Sequence, residues 1–173
     1  MGTIQLLAFC WRHTRQFATT DAPPGAAEVR RDKLDDIFSL LIRERASWIC
    51  ENCKLSCEHQ KGYLDCAHIQ GRAHRSTRWH PEGALALCKS CHRHFTDRPL
   101  DWARFVDAKI GREKAEFVRK LSNRIAGLKK FQKEEIYKAM KCEYAAMMGQ
   151  RCAGSTGRIE FMSPYPKPIE RAA

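Results

Sequence analysis

Two Cys-x-x-Cys pairs, Cys50/Cys53 and Cys88/Cys91, constrain this chain more than any other feature. Each pair can turn two thiolates toward one ion, and four thiolates satisfy the tetrahedral preference of zinc. The fold must therefore bring together two segments separated by 34 residues. That span is longer than a compact zinc ribbon needs, so a folded element is expected inside it. Its residues read as a β-hairpin, with a first strand over Tyr63–Ile69 and a second over Ala84–Leu87 that runs straight into the second pair. Cys57 and Cys66 leave a rival quartet open, made of Cys50, Cys53, Cys57 and Cys66. The quartet with Cys88 and Cys91 is preferred because it repeats the knuckle spacing and closes the hairpin on itself. The alternative to metal is a set of redox dithiols or buried core cysteines.

The order of residues around the knuckles carries a resemblance. After the first CxxC come Ala67-His68-Ile69 and an arginine-rich stretch. Then follow Arg78-Trp79, Pro81, Ala84 and Leu87-Cys88, and finally Cys91-His92 and Phe95. This resembles the HNH endonucleases, in particular phage-type proteins near the NinG/Rap recombination nucleases. The likeness spans residues 34–122, with its specific motifs in 50–97.

The resemblance implies an α+β fold: a zinc-pinned ββα-metal (HNH, treble-clef-like) unit with flanking α-helices. It implies an enzyme that hydrolyses phosphodiester bonds of duplex or branched DNA. His68 takes the position of the general base, and His92 that of a ligand to a catalytic divalent cation, Mg2+ or Mn2+. Cys50, Cys53, Cys88 and Cys91 hold the structural Zn2+. Two positions depart from the pattern. The family's middle asparagine, which braces the loop behind the base, falls at Gly83. A residue that is often a metal ligand falls at Ala67. Alternate side chains of a strand share a face, so Asp65 projects on the side of Ala67, opposite His68, and is the substitute ligand. Thr96, one helical turn beyond His92, is a poor ligand.

Charge supports a polyanionic partner. Lysine and arginine number 31 against 20 acids, a formal net charge of +11. Between Asp65 and Glu82 there is no acid, while Arg72, Arg75 and Arg78 recur every third residue. That loop is the expected phosphate-contacting surface, since a planar guanidinium holds two phosphate oxygens at once. Trp79 reads either as a base-stacking side chain or as a core anchor. The alternative function is a zinc-stabilised, non-catalytic nucleic-acid-binding module. A third class is an interaction scaffold built on the methionine-bearing last helix.

Four divisions follow along the chain: an N-terminal extension and linker over 1–30, the nuclease-like domain over 31–125, a C-terminal helix over 126–150 and a flexible tail over 151–173. Leu34, Ile37, Phe38, Leu41, Ile42 and Arg45 share one face of a helix that Asp32 can cap. Trp102, Phe105, Val106 and Ile110 mark another helix, ended by Gly111, and Val118, Leu121 and Ile125 a third. Ile136, Met140, Tyr144 and Met147 stripe the last, over about Gln132–Met148, and Lys129, Lys130 and Lys133 beside it could follow a DNA backbone. Nine cysteines, four of them in zinc spacing, fit a reducing intracellular compartment, cytoplasmic or that of a phage host, without structural disulfides. No apolar run approaches a membrane span. The first twenty residues are free of acids and carry arginines and threonines, the composition of an organelle transit peptide. A dimer is compatible with all of this.

Overall fold

Asp32 starts the first helix, α1 (Lys33–Arg45), by accepting a hydrogen bond from the Leu34 N–H. Asp35 returns the favour to the Asp32 N–H at 2.7 Å, which completes a capping box. The helix buries Leu34, Phe38, Leu41 and Ile42 to zero exposure, with Ile37 beside them. Fully burying a side chain of this kind stabilises the fold by ~1.5–3 kcal/mol, so α1 is the spine of the core. The computed structural model describes residues 31–124 and 130–162. Within them the protein is mixed α+β, with five α-helices and one two-stranded sheet.

Strands β1 (Leu64–His68) and β2 (Ala84–Cys88) pair antiparallel, with Leu64 opposite Cys88, Cys66 opposite Ala86 and His68 opposite Ala84. Every residue of β2 is buried, which its apolar run ALALC permits. Helix α2 (Lys89–Asp97) follows β2 without a break, giving the succession strand, strand, helix. The hairpin expected from the sequence is present, with each strand end within one residue of its predicted position.

Helix α3 (Pro99–Ile110) opens on a proline, and Gly111 separates it from α4 (Arg112–Ser122) at φ 86°, a backbone that side chains disfavour. Val106 of α3 and Ala115 and Val118 of α4 close over Ile69 and Leu85 in a small second core. The last helix, α5, spans Lys130–Cys152, longer than predicted, and lies along α1. Its Ile136, Met140 and Met147 belong to the same core cluster as α1 and the hairpin. The sequence-based division at 126 is therefore not a boundary in the core.

The tail expected over 151–173 is ordered chain as far as residue 162. Arg151 binds Glu44 at 2.9 Å, the Ile159 N–H reaches the Arg45 carbonyl, and Ile159 and Phe161 are buried, Phe161 edge-on to Phe38. Two apolar side chains two residues apart in an extended segment fit one face of the core, a signal too short to stand out beside glycines and prolines. The extension over 1–30 and residues 163–173 lie outside the described residues, as do Ile125 and Lys129. No helix among the described residues is long and apolar enough to cross a membrane.

Candidate functional site

The four knuckle cysteines meet. The Sγ atoms of Cys50, Cys53, Cys88 and Cys91 all lie within 4.8 Å of one another, and those of Cys53 and Cys88 are 3.7 Å apart. Tetrahedral Zn–S bonds of ~2.3 Å separate sulfurs by ~3.8 Å, so the donor set and its size fit zinc. The rival quartet is excluded, because neither Cys57 nor Cys66 joins the cluster.

Local chemistry builds this cluster from both sides. The first knuckle turns back on itself through bonds from Lys54 N–H to the Cys50 carbonyl and from Cys50 N–H to the Leu55 carbonyl, with Lys54 at φ 64°. Glu51 then straps the knuckle to β2: its N–H donates to the Ala86 carbonyl and its carboxylate accepts from the Ala86 N–H. The second pair sits where β2 becomes α2. Asn52 donates to Cys91 Sγ at 3.3 Å. Burial opposes ionisation of Cys50, but the N–H groups of Cys88, Cys53 and Asn52 outweigh it and lower its pKa, whereas burial raises those of Cys88 and Cys91. Cys66 stands outside the cluster, and burial pushes its thiol up to about 12, against the pull of Arg43 and Arg45. It is a packing residue.

Beside the zinc site lies a cleft of about 380 Å3 between α1, β1 and the start of α2, and it holds the chemistry-bearing residues. His68 lines it from the end of β1. Its Nε2 stands 3.0 Å from the Arg78 carbonyl, which can only accept, so Nε2 carries the proton and Nδ1 keeps its lone pair. The ring packs 5.9 Å from that of Phe38. Burial is the main reason the His68 pKa falls to about 4, with Arg72 adding repulsion, against the carbonyl bond that favours the charged form. His68 is a neutral imidazole at pH 7.

Asp65 and His92 face the same cleft as a pair, with Nδ1 of His92 3.0 Å from Oδ2 of Asp65. The expectation that Asp65 and His68 point apart needs correcting in its consequence. Their positions alternate to opposite faces of β1, yet both line one cleft, because it runs along the strand edge left unpaired in a two-stranded sheet. Thr96 spends its hydroxyl on the His92 carbonyl at 2.9 Å.

The arginine loop divides. Arg72 is exposed and lines the cleft; Arg75 is exposed but is not among the cleft residues. Arg78 overturns its assignment as a phosphate contact. It is 7% exposed, and its Nε and Nη2 lie 2.8 and 2.5 Å from the Asp35 carboxylate. Regular spacing said nothing about depth, and a buried carboxylate on α1 claims this guanidinium. Trp79 is a core anchor, 2% exposed, with Nε1 donating to Asp35. Lys133 pairs with Asp32 and is not a bare basic surface.

Reading the sequence missed Arg43. It lines the cleft, its Nε has no hydrogen-bond partner, and no carboxylate pairs with it among the described residues. Burial lowers its pKa, the mark of a cation held short of solvent. The signal was available: Asp35, Ser39 and Arg43 recur every fourth residue on a helix whose adjacent face is apolar, a polar stripe that must face something polar. Gly83, the position of the expected brace, has no room for one. A Cβ there would stand 2.4 Å from the Thr77 carbonyl oxygen.

In sum of chemistry, the cleft offers a neutral imidazole, a carboxylate–imidazole pair and the guanidinium groups of Arg31, Arg43 and Arg72, of which Arg31 pairs with Asp36, next to a cage of four cysteine sulfurs. Comparisons with protein-family models, curated proteins and solved structures found no match to this chain.

Proposed function

We propose that this protein is a metal-dependent DNA endonuclease of the HNH kind, acting on duplex or branched DNA. The observation that carries the reading is the convergence in one cleft of neutral His68, the Asp65–His92 pair, and Arg43 and Arg72. Phosphodiester hydrolysis needs a base for water, a cation for charge developing on the phosphate, and groups that position the strand. His68 serves as the base through Nδ1, which its bond to the Arg78 carbonyl leaves unprotonated.

Asp65 and His92 are the residues to hold Mg2+ or Mn2+. Nδ1 of His92 and Oδ2 of Asp65, hydrogen-bonded to each other at 3.0 Å, would both turn to such a cation, a carboxylate being a suitable donor for a hard ion. When bound, the cation supplies charge neutralisation at the phosphate and the leaving oxygen. Arg43 and Arg72 orient the phosphate; Arg43, lacking a carboxylate, is ready for an anionic oxygen. The zinc cage holds the hairpin and α2 in register, so that the base and the ligand pair keep their separation.

The rival, a binding module without catalysis, draws on Gly83, which lacks the bracing side chain of the family. His68→Ala separates the two. Metal-dependent nicking of supercoiled and branched DNA should fall ~10²–10⁴-fold while zinc content, fold and DNA affinity stay at wild-type level. Wild-type protein that binds DNA but cuts nothing with magnesium, manganese, nickel or zinc supplied sinks the enzyme reading.

A further inference from the structure

The peptide that orients His68 is itself held from outside the hairpin. The carbonyl accepting from His68 Nε2 belongs to the peptide unit joining Arg78 to Trp79. The side chains of both flanking residues end on one carboxylate. Asp35 Oδ1 accepts from Arg78 Nε and Trp79 Nε1, each at 2.8 Å, and Oδ2 from Arg78 Nη2 at 2.5 Å and the Asp32 N–H at 2.7 Å. Asp35, Arg78 and Trp79 are 5, 7 and 2% exposed. Each oxygen thus has two donors and the group is saturated, which makes a rigid clamp in a region of low dielectric.

We infer that Asp35 is the positioning residue of the base: through Arg78 and Trp79 it fixes one peptide plane, and that plane fixes the tautomer and orientation of His68. The inference rests on the proposed nuclease reading for its catalytic consequence. It assigns to an acid on α1 the bracing that Gly83 cannot provide. Other ties on the loop act farther off: Ser76 donates to the Leu121 carbonyl, and His74 contacts that of Ser122. Neither touches residue 78 or 79. A carboxylate acting through two donors suits this task, because it grips both ends of the peptide without contacting the imidazole.

The test uses the full-length, zinc-loaded chain and the variants Asp35→Asn and Trp79→Phe. Asp35→Asn turns an amide N–H2 toward the guanidinium and releases the clamp; Trp79→Phe keeps the packing and removes one of its bonds. Ring-nitrogen chemical shifts of 15N-labelled His68, assigned by its loss in His68→Gln, report the tautomer directly. Wild type should show one tautomer, protonated at Nε2. Both variants should show a mixture, Asp35→Asn the larger, with turnover reduced ~10²-fold for Asp35→Asn, as a misplaced catalytic group predicts, and DNA affinity unchanged.

A folded variant whose tautomer matches wild type overturns the clamp, whatever its activity. Lost activity with an unmoved tautomer counts against it equally. Should Asp35→Asn fail to fold, the Trp79→Phe spectrum decides in the same way. The spectra do not need cleavage, so a wild-type chain that cuts no DNA rejects the nuclease reading while the clamp is still judged on its own readout.

Discussion

The four-cysteine cage and the cleft beside it meet at α2, which supplies Cys91 to one and His92 to the other, but they are held by different forces. The cage is made by four side chains at two short sequence spacings, with backbone turns that pre-form it. The cleft is made by residues that sequence separates widely: Asp35 and Arg43 on α1, Asp65 and His68 on β1, His92 on α2. Its support is the buried Asp35 group. A second buried ion network lies behind the hairpin and the first knuckle: Arg45, 1% exposed, donates to the Pro81 and Ala84 carbonyls at 2.7 Å each, and Glu51, which straps the knuckle to β2, gathers Arg45, Lys109 and Arg158. Metal ligation tolerates few residue types and so leaves a legible trace, whereas a buried ion network can be assembled from any charged residues that meet.

The largest expected effect breaks the cage. Structural zinc contributes ~10–16 kcal/mol of apparent binding energy in small zinc domains, comparable to or larger than the stability of most domains. Cys88→Ser should therefore lose the metal and unfold the hairpin region, while Cys57→Ser keeps about one zinc per chain. Elemental analysis with circular dichroism checks both. A folded Cys88→Ser protein with full zinc content would return the rival quartet to consideration.

Next comes the ionic support. Arg45→Met should cost ~3–5 kcal/mol in urea unfolding, because two carbonyls and part of Glu51 are left unpaired in the interior. Zinc content should not change. A cost under ~1 kcal/mol would mean that the cage alone holds the hairpin.

A subtler contrast lies in pH. Burial lowers the His68 pKa to about 4, so the base remains neutral at pH 5. At saturating catalytic metal, the initial cleavage rate at pH 5 should stay within ~2-fold of that at pH 7, whereas an ordinary imidazole base would lose ~25-fold. The sign for stability is the reverse: protons bind the unfolded chain first, so the contribution of this site is intact above about pH 6.5 and is lost as pH falls toward 4. Zinc content measured at each pH separates acid loss of the cage from titration of His68.

The smallest effect distinguishes two arginines of one loop. Arg72→Ala should lower the salt slope of DNA binding by ~0.9, the release of one phosphate contact, and Arg75→Ala should lower it less. Fluorescence anisotropy at several salt concentrations checks this. Equal slopes would move the DNA path away from the cleft.

Much of this molecule was readable in advance. The cap at Asp32, the apolar face of α1, the two knuckles, and the hairpin with His68 at the end of its first strand follow from local rules of spacing and alternation. Depth was not readable. Arg72, Arg75 and Arg78 look alike in sequence, and only the long-range placement of Asp35 takes Arg78 out of solvent. Arg43 was hidden for the same reason, since the apolar stripe drew attention from the polar one next to it. Ile159 and Phe161 gave too short a pattern to predict that the chain returns to α1 after Gly157.

Gly83 has a consequence for anyone re-engineering the cleft. A designer wishing to stiffen it would first write an asparagine at this position, and the protein would refuse, since even the first carbon of a side chain meets the Thr77 carbonyl oxygen at 2.4 Å. That carbonyl also receives the His80 N–H, and Gly83 itself bonds to His80 and Ile69, so the obstacle cannot be moved alone. Any side chain at residue 83 therefore requires the turn from Thr77 to His80 to move with it, and the hairpin end at Ile69 to follow.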